Sequence, residues 1–400
     1  MHIIIQKFGG TSVATEESRK QVVEKIRKAI INKESPVVVV SAIGRKGAPY
    51  ATDTLIDFVN STAGIMNPES YDMLLSCGEI ISTVVMTTLL EKSGFKAKAF
   101  TGGQAGIVTD KYHKKADLLY SKPEALLKTL EAGIIPVVAG FQGMTVDGEI
   151  TTLGRGGSDT SAAMLGASLK ADRIEIYTDV DGIMTADPNV SQKAKIIPAI
   201  SYTEVFQMAD SGAKVIHPRA VEYAMSANIP LVIKNTFSDA KGTYILQNVD
   251  SIVDRNHKTA RVVASVAHKY NRVQYTIHAS KTSKDTLLED IATNDISIDL
   301  INIFPQTFVF TIDADDESKL QALLDKDGYT YDIIRGCAKV TAIGERMTGV
   351  PGVMAKIVKA FHNQGIEILQ TADSLTTIAC LIKEENVPKA IDVLHDEFGL

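Results

Sequence analysis

The chain contains 400 residues, 45% of them hydrophobic and 22% charged, close to the averages of globular proteins. At about 150 residues per domain, this length predicts two or three domains that bury a core without disulfides. The 48 acidic and 42 basic residues give a net charge of -6, which argues against general affinity for nucleic acid or anionic lipid.

The sequence shows no signal for a membrane, for secretion or for disulfides. No apolar run approaches the roughly 18 residues that cross a bilayer, and Met1 to Lys7 has no feature of a secretory signal. Cys77, Cys337 and Cys380 lie too far apart for a disulfide framework or a CxxC metal site. We therefore expect a cytoplasmic protein with reduced cysteines, no membrane contact and no resident metal.

The first half alternates β-rich runs with amphipathic helical stretches. Ile3 to Lys7 predicts a strand, Gly9-Gly10 ends it, and Thr15 is placed to cap the next helix. This order is typical of a mainly parallel sheet with helices on both faces, and we assign it to a domain over 1–245. Further buried strands are predicted at Val37 to Val40, Ile134 to Ala139 and Ile174 to Tyr177.

The last third repeats one unit of strand, helix, strand, strand and helix. The two copies lie 65 residues apart at Thr276 and Thr341. They lie 70 residues apart at Ile296 and Ile366, so the second copy is longer. The excess falls in Glu345 to Pro351, before a helix N-terminus where a small ligand would meet backbone donors. We predict a linker and two α+β units, over 246–261, 262–335 and 336–400.

A cation stands beside a glycine turn at the end of the first strand, in Lys7-Phe8-Gly9-Gly10-Thr11-Ser12. Backbone N–H groups at such a turn approach a phosphate closely. The alternative is an ordinary tight turn, and the sequence has no G-x-x-x-x-G-K-[ST] motif of a P-loop. Alone, this segment is a weak indication of a nucleotide site.

A second glycine turn, Gly154-Arg155-Gly156-Gly157-Ser158-Asp159, precedes a predicted helix at Thr160 to Leu169. Its guanidinium is suited to hold a carboxylate in bidentate fashion. The simpler interpretation is a helix entrance capped by Ser158 or Asp159, but a cap needs neither the arginine nor three glycines. A third segment, Thr178 to Pro188, carries three carboxylates after a strand, where open α/β sheets bind ligands. Its alternative is an Asp-rich turn.

Together these segments resemble the aspartate kinases of the amino acid kinase superfamily. Cys77-Gly78-Glu79, Gly140 to Gly143 and Gly212 to Ala220 add to a resemblance that covers essentially all 400 residues. It implies an α/β fold, with a carbamate-kinase-like domain followed by two ferredoxin-like ACT units. It also implies ATP as substrate, Mg²⁺ carried by the nucleotide, and transfer of the γ-phosphoryl group to the β-carboxylate of L-aspartate.

The resemblance implies a role for each matching residue. Lys7 would contact the transferring phosphate, and Asp159 would orient Lys7. The implied aspartate pocket consists of Ser41, Thr52, Glu79, Arg155, Gly156, Gly157 and Ser158. The implied nucleotide site consists of Lys7, Gly9, Gly10, Thr178, Asp179, Met184, Thr185, Asp187 and Lys214.

Residues 361–374, FHNQGIEILQTADS, resemble the diaminopimelate-sensitive branch of the family in Bacillus-type bacteria. This resemblance implies a homodimer through the ACT units and feedback by an amino acid, with meso-diaminopimelate favoured over lysine and threonine. The implied effector site consists of Met347, Val350, Pro351, Gly352, Val353, Gln370, Thr371, Asp373 and Ser374.

Two positions depart from the family pattern, and two other functions are alternatives. Asn189 stands where many relatives have the arginine of a DPR motif. A phosphate contact from that arginine would be absent or replaced here, which would change the affinity for the nucleotide. Lys281 to Asp285 replaces the Pro-Gly helix entrance of many ACT copies. The alternatives are a glutamate or acetylglutamate kinase and a catalytically silent amino-acid sensor. The presence of Lys7, Asp159, Glu79 and Arg155 together argues against a sensor, because sensing does not require them.

Overall fold

The structure is a computed structural model that describes residues 1–213, 216–249, 261–278 and 284–400, without the side chains of 284–286. The described chain forms two units. The first unit contains residues 1–183, 196–206 and 216–249, and the second contains residues 184–195, 207–213, 261–278 and 284–400. The predicted domain over 1–245 therefore differs from the first unit. Residues 184–195 and 207–213 group with the second unit. The first of these segments does so because Ala186 packs in its core and Thr185 hydrogen-bonds within it.

The first unit is built on a mainly parallel sheet, which confirms the predicted fold class. Its strands are β1 (His2–Phe8), β2 (Glu34–Val40), β3 (Ala97–Phe100), β4 (Ile107–Thr109), β5 (Leu118–Ser121), β6 (Ile135–Ala139), β7 (Gln142–Thr145), β8 (Ile150–Thr152), β9 (Arg173–Thr178), β10 (Ala199–Ser201), β11 (Leu231–Asn235) and β12 (Thr243–Leu246). Eight strands form the sheet β10-β12-β11-β9-β1-β2-β6-β3, in which the pair β11-β12 is antiparallel. A smaller sheet has the order β5-β4-β7-β8.

The helices of the first unit cover this sheet. They are α1 (Glu16–Ile31), α2 (Thr52–Ala63), α3 (Pro68–Lys92), α4 (Glu124–Glu131), α5 (Gly157–Leu169), α6 (Tyr202–Asp210) and α7 (Pro218–Ser226). The last turn of α6 groups with the second unit. The cap predicted for the first helix is confirmed, since the Thr15 side chain accepts a hydrogen bond from the Ser18 N–H at 3.1 Å.

Helix α3 was not predicted from the sequence. Among the residues that the structure describes, it alone is long and apolar enough to cross a membrane by length and composition. It nevertheless carries the buried carboxylates Asp72 and Glu79 and packs against β3, β6 and β8. We conclude that it is a core helix. Its buried small polar residues, such as Ser76 and Ser82, interrupt the apolar periodicity that sequence analysis uses.

Over its described residues, the second unit is one antiparallel sheet of six strands with four α-helices, which confirms the predicted repeat. Its order is β14-β15-β13-β16-β18-β17. The strands are β13 (Ser265–His278), β14 (Ile298–Ile303), β15 (Thr307–Asp313), β16 (Thr330–Ile343), β17 (Gln370–Asp373) and β18 (Thr377–Lys383). The helices are α8 (Lys284–Thr293), α9 (Glu317–Lys326), α10 (Val353–Asn363) and α11 (Val387–Phe398).

Strands β13 and β16 each serve both repeats. Residues 272–278 of β13 pair with the first half of β16, whereas residues 265–269 pair with residues 339–343. The second repeat therefore takes its fourth strand from a segment that precedes the first repeat in the chain. The predicted units over 262–335 and 336–400 assign residues 265–269 to the first repeat, although these residues pair with the second. The pairing partner of a strand cannot be read from local periodicity.

Candidate functional site

A cavity of about 570 Å³ lies in the first unit at the carboxyl ends of β1 and β2, where parallel sheets bind ligands. It brings together residues from five separate segments of the chain. The cavity wall contains both residues predicted for catalysis and all seven predicted for the aspartate pocket, namely Lys7, Asp159, Ser41, Thr52, Glu79, Arg155, Gly156, Gly157 and Ser158.

Lys7 and Asp159 form an ion pair in this cavity. The Lys7 Nζ lies 2.6 Å from the Asp159 Oδ1, without the alignment of a hydrogen bond, and their side chains are 11% and 17% exposed. Lys7 stands near the end of β1, and Asp159 lies in the first turn of α5. This poorly solvated carboxylate holds the ammonium group in place beside the glycine turn.

The glycine turn after β1 packs directly on the loop after β2. A Cβ at Gly10 would lie 2.6 Å from the Gly44 carbonyl oxygen and 2.8 Å from the Ala42 carbonyl oxygen. The Gly44 N–H donates to the Gly10 carbonyl at 3.1 Å. The prediction that Gly9 offers its N–H to phosphate needs correction, because that group donates to the Tyr177 carbonyl at 3.3 Å. Among the described residues, no backbone carbonyl accepts a hydrogen bond from the Gly10 N–H.

Glu79 is a buried carboxylate with one oxygen available to a ligand. Its side chain accepts a hydrogen bond from the Ala42 N–H at 3.1 Å through Oε1. Oε2 is buried and has no hydrogen-bond partner in the described part of the chain. Burial raises the pKa of Glu79 to about 8. A cation in the cavity would both satisfy Oε2 and favour the ionised form.

The Arg155 loop is shaped by close packing at its glycines. Gly156 has a φ of +66°, and a Cβ there would lie 2.3 Å from the Cβ of His217. Arg155 itself is exposed, and no ion-pair partner lies near it within the described ranges. The loop also forms the N-terminus of α5, whose first N–H groups favour an anion. This arrangement is suited to bind a carboxylate.

Three supporting residues were missed by sequence analysis. Asp72 is fully buried and accepts hydrogen bonds from the N–H and hydroxyl groups of Thr152, just before the Arg155 loop. Arg219 donates to the Leu153 carbonyl at 2.9 Å. Arg45 lines the cavity. Arg219 belongs to the segment Gly212 to Ala220, but nothing in its spacing indicated the contact.

The residues predicted for the nucleotide are divided between the two units. Thr178 and Asp179 stand at the end of β9, which pairs with β1. Met184, Thr185 and Asp187 belong to the second unit, and Lys214 lies outside the described residues.

The prediction for Thr185 needs correction. Its side chain is 1% exposed, and its hydroxyl already bonds to the His395 Nε2 at 2.9 Å and to the Lys195 N–H at 3.0 Å. This hydroxyl is therefore engaged inside the second unit and does not face a ligand.

The predicted effector residues fall into buried and exposed groups. Met347 and Val353 are core residues of the second unit. Gln370 is also buried, and its amide bonds to the Gln274 side chain at 2.9 Å and to the Asn302 side chain at 2.7 Å. The side chains of Gln370, Met347 and Val353 are therefore surrounded by protein atoms in this structure.

The remaining predicted effector residues lie nearer the surface. The Ser374 hydroxyl accepts from the N–H groups of Thr376 and Thr377, which assigns it to the turn before β18. The other members are exposed or half-buried: Val350, Pro351, Gly352, Thr371 and Asp373.

Comparison with known proteins gives matches over the whole chain. Residues 2–235 match the amino acid kinase family, and residues 332–396 match an ACT domain. Aspartokinase 1 of Bacillus subtilis (strain 168) is 44% identical over 403 residues, which cover 100% of both chains. Aspartokinase of Geobacillus stearothermophilus is 36% identical over 406 residues, covering 100% of this chain and 98% of that protein.

A solved structure shares the fold. Crystalline E. coli aspartokinase III in complex with aspartate and ADP is 24% identical, covers 100% of both chains and gives a TM-score of 0.74. The architecture of the two units is therefore that of known proteins.

Proposed function

Because the chain belongs to the aspartokinases of the amino acid kinase family, we propose that the cavity at the ends of β1 and β2 is its active site. The protein is an ATP-dependent aspartate kinase that produces 4-phospho-L-aspartate, the first step towards lysine, diaminopimelate, threonine and methionine. The Lys7–Asp159 ion pair beside the glycine turn is the observation that carries the assignment of the site.

The transfer needs little covalent chemistry from the protein. A β-carboxylate oxygen of aspartate forms a bond to the γ-phosphorus while the bond to the β,γ-bridging oxygen breaks, and ADP leaves with that electron pair. The attacking carboxylate is already ionised near neutral pH, so no proton has to move. Lys7 neutralises the charge on the transferring group, and Asp159 keeps Lys7 in position.

The cavity has a partner for each end of aspartate. Arg155 and the N-terminus of α5 would bind a substrate carboxylate, and the unpartnered Oε2 of Glu79 would accept from the ammonium group. Ser41, Thr52 and Ser158 line the same space. A substrate held at both charged ends would present its remaining carboxylate to the Lys7 side of the cavity.

ATP would lie along the glycine turn towards Thr178 and Asp179 at the end of β9. The unpartnered Gly10 N–H is the backbone donor at this turn that would meet a phosphate oxygen. Mg²⁺ would arrive on the phosphate oxygens, since this small cation keeps several waters when it binds with a nucleotide. We place the enzyme in the cytoplasm.

A comparison of acceptors tests the proposed function. The enzyme is incubated with MgATP and aspartate, glutamate or acetylglutamate, and the acyl phosphate is trapped with hydroxylamine while ADP is measured. We expect acyl phosphate to form with aspartate and not with glutamate or acetylglutamate. Product formation with another acceptor in its place would overturn the substrate assignment, and no product with any acceptor would favour the silent sensor.

The second unit would bind the feedback effector, for which meso-diaminopimelate is favoured over lysine and threonine. Gly352 precedes α10 in a left-handed conformation with no side-chain cap, so the first N–H groups of α10 would donate hydrogen bonds to an effector carboxylate. Thr371 and Asp373 offer further polar groups at β17.

Calorimetry tests this assignment. Each of the three amino acids is titrated with and without an ATP analogue and aspartate. If the effector changes the affinity for substrates by some factor, bound substrates must change the affinity for the effector by the same factor. Absence of binding at millimolar concentration would remove the effector role.

The second unit would also form a homodimer. Strand β14 is at the edge of the six-stranded sheet and exposes Ile303, which is 59% accessible. An exposed edge with an apolar side chain favours pairing with a second copy. Light scattering of the wild type and of Ile303→Asp measures the state directly, and a monomeric wild type would contradict the dimer.

A further inference from the structure

One side chain of the first unit crosses over the glycine turn. Arg45 follows Gly44, whose N–H donates to the Gly10 carbonyl at 3.1 Å, so the arginine begins beside the turn. Its Nη2 then donates to the Asp179 Oδ2 at 2.9 Å. Arg45 comes from the loop after β2, whereas Asp179 follows β9, and β1 lies between these two strands in the sheet.

The path of this ion pair follows from the order of the strands. Neighbouring strands are about 4.8 Å apart, so a contact from the β2 side to the β9 side spans about 10 Å across the end of β1. The end of β1 carries Lys7 and the turn at Gly10. A phosphate chain on that turn would consequently meet the guanidinium of Arg45.

The pair with Asp179 is poorly suited to a structural role. The side chains of Arg45 and Asp179 are 75% and 45% exposed. Ion pairs at such exposure contribute little to stability, so a ligand displaces them easily. The adjacent cation, Lys46, is directed elsewhere and lies 3.6 Å from the Asp57 carboxylate on α2.

The other cations of the cavity are already assigned. Lys7 is held in position by Asp159 at 2.6 Å and already faces the transferring group, and Arg155 stands on the loop that would hold the acceptor's carboxylate. A γ-phosphoryl group in transfer spreads negative charge over three oxygens, and an arginine is suited to bind two of them at once. Arg45 is the cation whose present partner is weakly held and lies beyond the turn.

We propose that Arg45 binds the γ-phosphoryl group during transfer, and that Asp179 is its resting partner in the ligand-free enzyme. This rests on the proposed function, in which the glycine turn holds the phosphates of ATP. When MgATP binds, the guanidinium leaves Asp179 and moves back over the turn. No proton is transferred, since the guanidinium stays charged throughout.

Nucleotide affinity with and without a γ-phosphate tests the proposal independently of the acceptor. Calorimetry with Mg·ADP and with the non-hydrolysable analogue Mg·AMP-PNP is carried out on the wild type, Arg45→Ala and Lys46→Ala. We expect Arg45→Ala to weaken AMP-PNP by at least about tenfold more than ADP, because only AMP-PNP has the group that the arginine contacts. Lys46→Ala removes the same charge one residue away and should change this ratio by less than about threefold.

Turnover gives the second measurement. Arg45→Ala should lower kcat for aspartate phosphorylation by about 100-fold, the usual cost of one electrostatic donor to a transition state. Guanidinium added to the buffer should restore part of this loss, and the melting temperature should not change. The loss should persist at saturating ATP, because the contact is made with the group in transfer.

The contrary outcomes are distinct. Equal weakening of ADP and AMP-PNP would show that Arg45 acts on the part that both nucleotides share and does not contact the γ-phosphate, unchanged affinity for both would show that it only pairs with Asp179, and unchanged turnover in Arg45→Ala would exclude it from the transfer. A wild type that binds AMP-PNP through Arg45 and fails to phosphorylate aspartate would overturn the proposed function and leave the arginine contact standing.

Discussion

The cavity of the first unit and the polar interior of the second unit around Gln370 differ in how their hydrogen bonds are satisfied. In the cavity, the buried Oε2 of Glu79 has no partner among the described residues, and Arg155 is exposed. In the second unit, Gln370 bonds to Gln274 and Asn302. A buried polar atom without a partner costs about 1 to 3 kcal/mol, so it is retained where a ligand supplies the partner. At Glu79 the missing partner coincides with a cavity wall, and this combination indicates a ligand site, whereas the bonded amide of Gln370 indicates a structural role.

The largest effect on turnover is expected from substitutions in the Lys7–Asp159 ion pair of the cavity. Lys7→Met and Asp159→Asn should each lower kcat by at least about 100-fold, because the charge on the transferring phosphate is no longer neutralised. Both side chains border a cavity, so circular dichroism and the melting temperature should show a folded protein. Wild-type turnover in either folded variant would remove that residue from the mechanism.

The two adjacent glycines of the turn should differ in their tolerance of a side chain. Gly10→Ala places a Cβ 2.6 Å from the Gly44 carbonyl oxygen, whereas a Cβ at Gly9 meets nothing nearer than 3.6 Å. We expect Gly10→Ala to lower the free energy of unfolding by about 2 to 4 kcal/mol, since two backbone segments must separate. Urea denaturation of both variants measures this, and an equal loss in Gly9→Ala would contradict the packing argument.

Glu79 should respond to pH in a way that a satisfied carboxylate would not. Glu79→Gln should raise the KM for aspartate about 30-fold or more and leave the KM for ATP unchanged, because the substrate ammonium loses its partner. The pKa of Glu79 is raised to about 8, so the ionised form that binds the ammonium increases as pH rises towards that value.

The pH profile separates charge from shape at this position. The KM of the wild type for aspartate should fall between pH 7 and pH 8.5, as a pKa of about 8 requires, and that of Glu79→Gln should stay flat. A rise in the KM for ATP with no change for aspartate would mean that Glu79 faces the other substrate.

The smallest effect is expected from a substitution at Gln370, whose side-chain amide already has hydrogen-bond partners within the protein. Gln370→Leu leaves the amide of Gln274 without its partner and should lower the free energy of unfolding by about 1 to 2 kcal/mol. Effector affinity, measured by calorimetry, should be unchanged, whereas Asp373→Asn should weaken it. A stable Gln370→Leu variant that no longer binds effector would return Gln370 to the effector site.

Elements with a local cause could be predicted from the sequence. The strand at Ile3 to Lys7, the cap at Thr15 and the glycine turns depend on residues within a few positions of one another. The cavity residues could be named in advance only through the resemblance to the aspartate kinases, which implies a role for each matching residue. Helix α3 was missed because its inward face mixes apolar and small polar side chains.

Other features were decided by the tertiary structure alone. Arg45 reaches Asp179 across 134 residues of sequence, and Thr185 reaches His395 across 210. The start of β13 completes the second repeat only because β16 pairs with both of its halves. Local spacing fixes the φ/ψ preferences and the apolar face of a segment, and these determine which helix or strand it forms. Which distant side chain then satisfies a buried or charged group depends on how the elements pack, and no spacing within one segment contains that information.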